Sequence, residues 1–161
     1  DKGSTFTVWL RLQSADQELL ASAGAATVPV DLDSLAGRKI LLCEDNALNR
    51  EIANVLLKAK GMEVTNAENG RLGVDLFAGS PEGTFSAVLM DVRMPVLDGL
   101  AATKEIRNLG KADSKTIPII AMTADAFEDD IKKCLAAGMN AHIAKPVEPE
   151  MLFATLAKHI K

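Results

Sequence analysis

The sequence predicts an α/β fold, a five-stranded parallel sheet covered on both faces by helices. From Arg38 onward, short apolar runs alternate with stretches whose apolar residues recur at helical spacing, giving five successive βα units. The runs Ile40-Leu41-Leu42-Cys43 and Ile117 to Met122 are continuously apolar, as strands are when helices cover both faces of a parallel sheet. Gly61 and Gly138 follow the first and fourth helical stretches, where a residue of positive φ ends a helix well.

In order, strands are expected at Lys39–Cys43, Met62–Ala67, Ala87–Met90, Pro118–Met122 and Ala141–Ala144. The helices between them are read from Leu48, Ile52, Val55, Leu56 and Ala59, then Leu72 and Leu76, then Leu100, Ile106 and Leu109, then Ile131 and Leu135. A last helix carries Leu152, Leu156 and Ile160. Asp98 reads as the cap of the third helix, after a turn at Met94-Pro95. Such a sheet is wound with right-handed crossovers, and its ligands sit beyond the carboxyl ends of the strands.

The amino-terminal part has a different grammar. In Ser4 to Leu10, Phe6, Val8 and Leu10 share one face and Thr5, Thr7 and Trp9 the other, the period of a strand. From Gln13 to Gly37, Ala, Ser and Asp predominate with little periodicity, which reads as a linker. The 161 residues suffice for one folded domain with an appendage, and the start at Asp1 suggests a piece of something longer. A net charge of -4 without a Lys/Arg cluster excludes a nucleic-acid footprint. No run of about 18 apolar residues offers a membrane span. Cys43 and Cys134 form no disulfide framework and fit a reducing, cytoplasmic setting.

At the carboxyl ends of the expected strands stand Glu44 and Asp45 after the first, Asp91 after the third, Thr123 after the fourth and Lys145 after the fifth. Two carboxylates about 4 Å apart repel by roughly 4 kcal/mol at an effective dielectric near 20, so three together need a cation. Oxygen ligands favour Mg²⁺, which takes one or two carboxylates and completes its shell with water and a phosphate oxygen. A carboxylate can attack phosphorus to give an aspartyl phosphate, with lysine and metal neutralising the equatorial charge. Taken singly, Asp91 is an ordinary strand-end turn residue, Thr123 a helix cap and Lys145 a solvated charge. Their occurrence together, each ending a separate parallel strand, is what points to a site.

The segments Leu-Leu-Cys-Glu-Asp-Asn, Leu-Met-Asp-Val-Arg-Met-Pro-Val-Leu-Asp-Gly, Ala-Met-Thr-Ala and Ala-Lys-Pro resemble the signatures of the response-regulator receiver family, over about Arg38 to Lys161. The resemblance implies a (βα)5, doubly wound, flavodoxin-like sheet, and members of this family exemplify that strand order. It implies that Asp91 is the phosphoacceptor, that Glu44 and Asp45 help hold Mg²⁺ and that the Arg93 main-chain carbonyl completes the metal shell. It also implies that Lys145 contacts the phosphoryl group, Thr123 moves to bond it, His142 holds the aromatic switch position, and Lys145-Pro146 is cis. A flavin-binding electron carrier is disfavoured, because Glu44 and Asp45 would repel a flavin phosphate.

Gly3-Ser4-Thr5-Phe6-Thr7-Val8 resembles the closing strand of the ATP-binding domain of sensor histidine kinases. This implies residues 1–12 as a remnant of that domain, 13–37 as linker and 38–161 as the receiver of a hybrid histidine kinase, whose other parts would carry the kinase activity. The implied partner is a histidine-kinase dimerisation and phosphotransfer domain or a separate histidine phosphotransfer protein, with dimerisation through the amino-terminal strand a further expectation. The alternative is a stand-alone receiver or a pseudo-receiver that only docks partners. His159 reads as a water-facing helix end favourable to the dipole when charged, and the six methionines as core or turn packing.

Overall fold

The computed structural model describes residues 35–124 and 127–160. Five strands, β1 (Lys39–Cys43), β2 (Glu63–Ala67), β3 (Ala87–Asp91), β4 (Ile119–Thr123) and β5 (Ala141–Ala144), alternate with helices α1 (Ala47–Ala59), α2 (Gly70–Gly79), α3 (Gly99–Asn108), α4 (Glu128–Ala137) and α5 (Pro149–His159). All pairings are parallel, in the order β2-β1-β3-β4-β5. The strands agree with the expected ones to within a residue at each end. The expected strand Ser4 to Leu10, and most of the linker, lie outside the described residues.

The apolar strands alternate between two cores. Leu41, Cys43, Val88, Met90, Ile119 and Ala121 face α2, α3 and α4 through Val74, Phe77, Ala102, Ile106 and Cys134. Ile40, Leu42, Leu89, Ile120, Met122 and Ile143 face α1 and α5 through Ala53, Leu57, Leu152, Phe153 and Leu156. Period 2 therefore persists inside a continuous apolar run, with each side chain meeting a helix whichever way it points. The folded unit also begins earlier than Arg38. Leu35 is fully buried against the α1 and α5 core, and Gly37 N–H donates to the Gly61 carbonyl at 2.8 Å.

The helices correct the reading of which residues face inward. In α1 the buried side chains are Ala53, Asn54 and Leu57, whereas Leu48, Ile52 and Val55 are 69%, 47% and 58% exposed. In α2 Val74 and Phe77 are buried and Leu72 is exposed. In α4 Cys134 and Ala137 face the core and Leu135 does not. Each helix is apolar on more than one side, and the side that meets the sheet is set by how the helix is seated rather than by hydrophobicity alone. The α5 expectation holds at Leu152 and Leu156, while Met151, unlike the other methionines, is exposed. His159 is half-buried, and burial together with Lys158 pushes its pKa down, so the expected gain from charging it at the helix end is opposed.

Capping matches local chemistry: Asn46 Oδ1 accepts from the amides of Leu48 and Asn49, Asn69 Oδ1 from Leu72, and Asp98 Oδ1 from Ala101. Gly138 ends α4 at φ 100°, the left-handed conformation anticipated there.

Both cysteines are free and buried, and burial pushes the Cys43 thiol up to about 12, so it acts as a small apolar filler. A Cβ at Gly73 would come within 2.5 Å of Cys43 Sγ. Gly73→Ala should therefore destabilise the fold by about 1–3 kcal/mol in urea titrations, and Cys43→Ala in the same chain should recover most of that loss. Purely additive single and double variants would show that this contact is not what excludes a side chain at Gly73.

Candidate functional site

The order β2-β1-β3-β4-β5 reverses direction between β1 and β3, which leaves a crevice at their carboxyl ends. Glu44 and Asp45 follow β1 on one side of this crevice, and Asp91 ends β3 on the other. Each of the three offers a carboxylate oxygen within 4.8 Å of the others. Glu44 and Asp91 are 1% and 5% exposed, and Asp45 is exposed to solvent.

Lys145, one residue past β5, reaches across to both buried acids. Its Nζ lies 2.7 Å from Asp91 Oδ2 and 2.7 Å from Glu44 Oε2. The Arg93 amide donates to Asp91 Oδ1 at 3.1 Å, and Asn49 Nδ2 donates to Glu44 Oε1 at 3.1 Å. Both oxygens of each buried carboxylate therefore have a donor. The Lys145-Pro146 peptide is cis, as expected.

Three carboxylates and one ammonium leave two negative charges, the complement of one divalent cation. With oxygen atoms this close, Glu44, Asp45 and Asp91 fit a hard cation that takes carboxylate ligands and keeps water. Thr123 ends β4 as a buried residue beside this edge. It is not a helix cap, since α4 starts four residues later from Phe127. His142 lies half-buried on β5, paired in register with Ala121. Gly99 brings α3 against the strand end, where a Cβ would collide with the Asp91 carbonyl oxygen.

Asn49 and Arg50 were not singled out in the sequence. Arg50 Nη1 donates to the main-chain carbonyls of Glu44 at 2.7 Å and Asp45 at 3.2 Å. Their only sequence signal is a place one helical turn after an acidic strand end, in a helix whose polar side turns back toward the loop. Asp98 and His159 take no part in the site.

Residues 40–157 match the family model described as the response regulator receiver domain, and the chain belongs to that family. It is thus a receiver module of two-component phosphorelay signalling. Among its curated relatives, hybrid signal transduction histidine kinase I of Dictyostelium discoideum is 32% identical over 91% of this chain and 9% of its own length. Two-component system protein A of Emericella nidulans is 41% identical over 81% of this chain and 19% of its own length. The chain thus spans less than a fifth of either relative. Among solved structures, the receiver domain of sensor histidine kinase PA1611 of Pseudomonas aeruginosa is 40% identical, with a TM-score of 0.69, over 77% of this chain and 98% of that one. It carries a magnesium ion coordinated in its active-site cleft. The receiver domain of Ssk1 of Saccharomyces cerevisiae, co-crystallised with the histidine phosphotransfer protein Ypd1, is 27% identical, with a TM-score of 0.68, over 77% of this chain and 89% of that one.

The ion pairs of Lys145 have a pH signature. Burial alone would pull its ammonium pKa down, but the hydrogen bonds to Asp91 and Glu44 outweigh it and raise the pKa above the ordinary 10.5. The folded state then holds this proton more tightly than the unfolded chain. Its stabilising contribution is complete below the unfolded value and is lost as pH rises through the folded one. Urea titrations between about pH 9 and about pH 11.5 should show the wild type losing more stability than Lys145→Met. Equal losses would mean that pairing with the two acids contributes nothing to the fold.

Proposed function

We propose that Asp91 accepts a phosphoryl group from a phosphohistidine, with Mg²⁺ held by Glu44, Asp45 and Asp91 and by the main-chain carbonyl of Arg93. The observation that carries this reading is the convergence of the three carboxylates on one strand edge with Lys145 at 2.7 Å from Asp91. In the transfer, an Asp91 carboxylate oxygen forms a bond to phosphorus as the bond from phosphorus to the imidazole nitrogen breaks. The nitrogen keeps the electron pair and takes up a proton from solvent. Bound Mg²⁺ supplies neutralisation of charge on the phosphoryl oxygens.

The protein's own groups do the rest. Lys145 stands beside Asp91 to receive the equatorial charge, and the Arg93 amide fixes the orientation of the acceptor carboxylate. Glu44 would help hold the cation and also orients Lys145, which lies 2.7 Å from its Oε2. Thr123 would bond a phosphoryl oxygen and His142 would relay the change along β5, the coupling expected from the family resemblance. The relatives support a hybrid histidine kinase as the parent; residues 1–12 would be the end of its ATP-binding domain, and the residues from 13 to the start of the folded unit at Leu35 a linker.

The donor is a histidine-kinase phosphotransfer domain or a separate histidine phosphotransfer protein. Leu48, Ile52 and Val55 form an exposed apolar strip on α1 directly beside the site. Ile52 and Ala53 line the same small cleft as Glu44, Lys145, Pro146 and Val147. A protein that brings its phosphohistidine to Asp91 must cover this strip. Ile52→Glu should slow transfer from a phosphorylated donor protein by about tenfold or more, the penalty of burying a charge in an apolar contact. A small acyl phosphate, which needs no docking, should still label that variant. Transfer from the protein donor at the wild-type rate would place the contact elsewhere.

Intact mass after incubation with a small acyl phosphate and Mg²⁺ tests the acceptor itself. The chain should gain one phosphoryl group, none when a chelator withholds Mg²⁺ from the reaction, and none as Asp91→Asn. Labelling that survives in the Asn variant would assign the chemistry to another residue.

A further inference from the structure

The carboxylates of Glu44 and Asp45 reach Asp91 only if the chain turns correctly as it leaves β1. The Glu44 amide still pairs with the Ala67 carbonyl at 3.0 Å, and beyond it the sheet ladder ends. Glu44 and Asp45 then lie in a turn between strand and helix, where no neighbouring strand is available to order the main chain. Arg50, on the first turn of α1, bends back to that segment. Its Nη1 holds the carbonyls of Glu44 and Asp45 together, and Nη2 lies 3.4 Å from Glu68 Oε1 in the loop after β2. Only 17% of the Arg50 side chain is exposed, against 70% for Glu68, and the short bond to the Glu44 carbonyl is part-buried, whereas those to Asp45 and Glu68 are exposed.

We propose that Arg50 is a positioning residue for the cation site. By clamping two consecutive carbonyls it sets the turn from which the Glu44 and Asp45 side chains project. The adjacent Asn49 completes the arrangement through its bond to Glu44 Oε1. The proposal rests on the reading of this site as a Mg²⁺-dependent phosphoacceptor, and it adds a residue that touches neither the cation nor the phosphoryl group.

The guanidinium is positive and stands next to an acidic cation site, so charge and positioning predict opposite signs. If Arg50 acted only through its charge, its removal would strengthen Mg²⁺ binding, because a like charge would be gone. If it acts as a clamp, removal loosens the turn and weakens binding.

The test is titration of the wild-type chain and its variants with Mg²⁺ alone, followed by amide NMR shifts and with no phosphodonor present. Arg50→Ala should raise the Mg²⁺ dissociation constant about tenfold, equivalent to about 1.4 kcal/mol. Arg50→Lys keeps the charge and donors but loses the rigid planar fork, and should recover only part of the affinity. Arg71→Ala removes the same charge from α2, where Arg71 pairs with Glu105, and should leave the constant unchanged. Arg50→Met retains the aliphatic stem and decides the question if the Ala variant loses its fold. Binding in Arg50→Ala or Arg50→Met as tight as in the wild type, or tighter, would overturn the clamp while leaving the phosphoacceptor reading intact. A wild-type chain that binds no Mg²⁺ would overturn both.

Discussion

The site is built around a charge imbalance. Glu44, Asp45 and Asp91 place carboxylate oxygens within 4.8 Å of one another, two of the residues buried, and Lys145 bridges the buried pair. At about 4 Å and an effective dielectric near 20, each like-charged pair costs roughly 4 kcal/mol. The fold bears this because Lys145 and the amide and amide-like donors of Arg93 and Asn49 satisfy every oxygen of Glu44 and Asp91. What they leave over is a twofold negative charge, which a divalent cation would balance.

The rest of the architecture serves to hold those groups in place. Strands buried on both faces make a stiff platform, and the two cores that sandwich it leave the strand ends little freedom to shift. α1 performs three tasks at once. Ala53 and Leu57 face the sheet, its first turn reaches back through Asn46, Asn49 and Arg50, and Leu48, Ile52 and Val55 stay in water. The exposure of Leu48, Ile52 and Val55 is costly for an isolated domain, and a surface for a donor protein gives it a reason.

The proposed switch needs more than one contact. A hydrogen bond from Thr123 to a charged phosphoryl oxygen contributes about 1.5–3 kcal/mol. Shifting a two-state equilibrium from 1:99 to 99:1 needs about 5.5 kcal/mol of differential stabilisation. Thr123 cannot supply this alone. Lys145 is the natural second contributor, because phosphorylation of Asp91 would change the charge its ammonium already faces.

The alternation of apolar runs with helical spacing was enough to place all five strands, and the residues ending four of them were enough to identify the acidic site, because both signals repeat along the chain. Capping by Asn46 and Asp98 was equally readable, since it depends on neighbours two or three residues away. The inward faces of α1, α2 and α4 were not, because hydrophobicity marks residues that avoid water without saying which of them a flat sheet leaves room for. Val55 and Leu57 are alike in chemistry, but two residues apart on a helix they point to opposite faces, and only Leu57 meets the core. Arg50 was hidden for a related reason: its partners are main-chain carbonyls, which every residue carries, so no pattern of side chains announces them. Contacts to side chains at strand ends leave a trace in the sequence, whereas contacts to backbone and the choice of packed face exist only once the chain has folded back on itself.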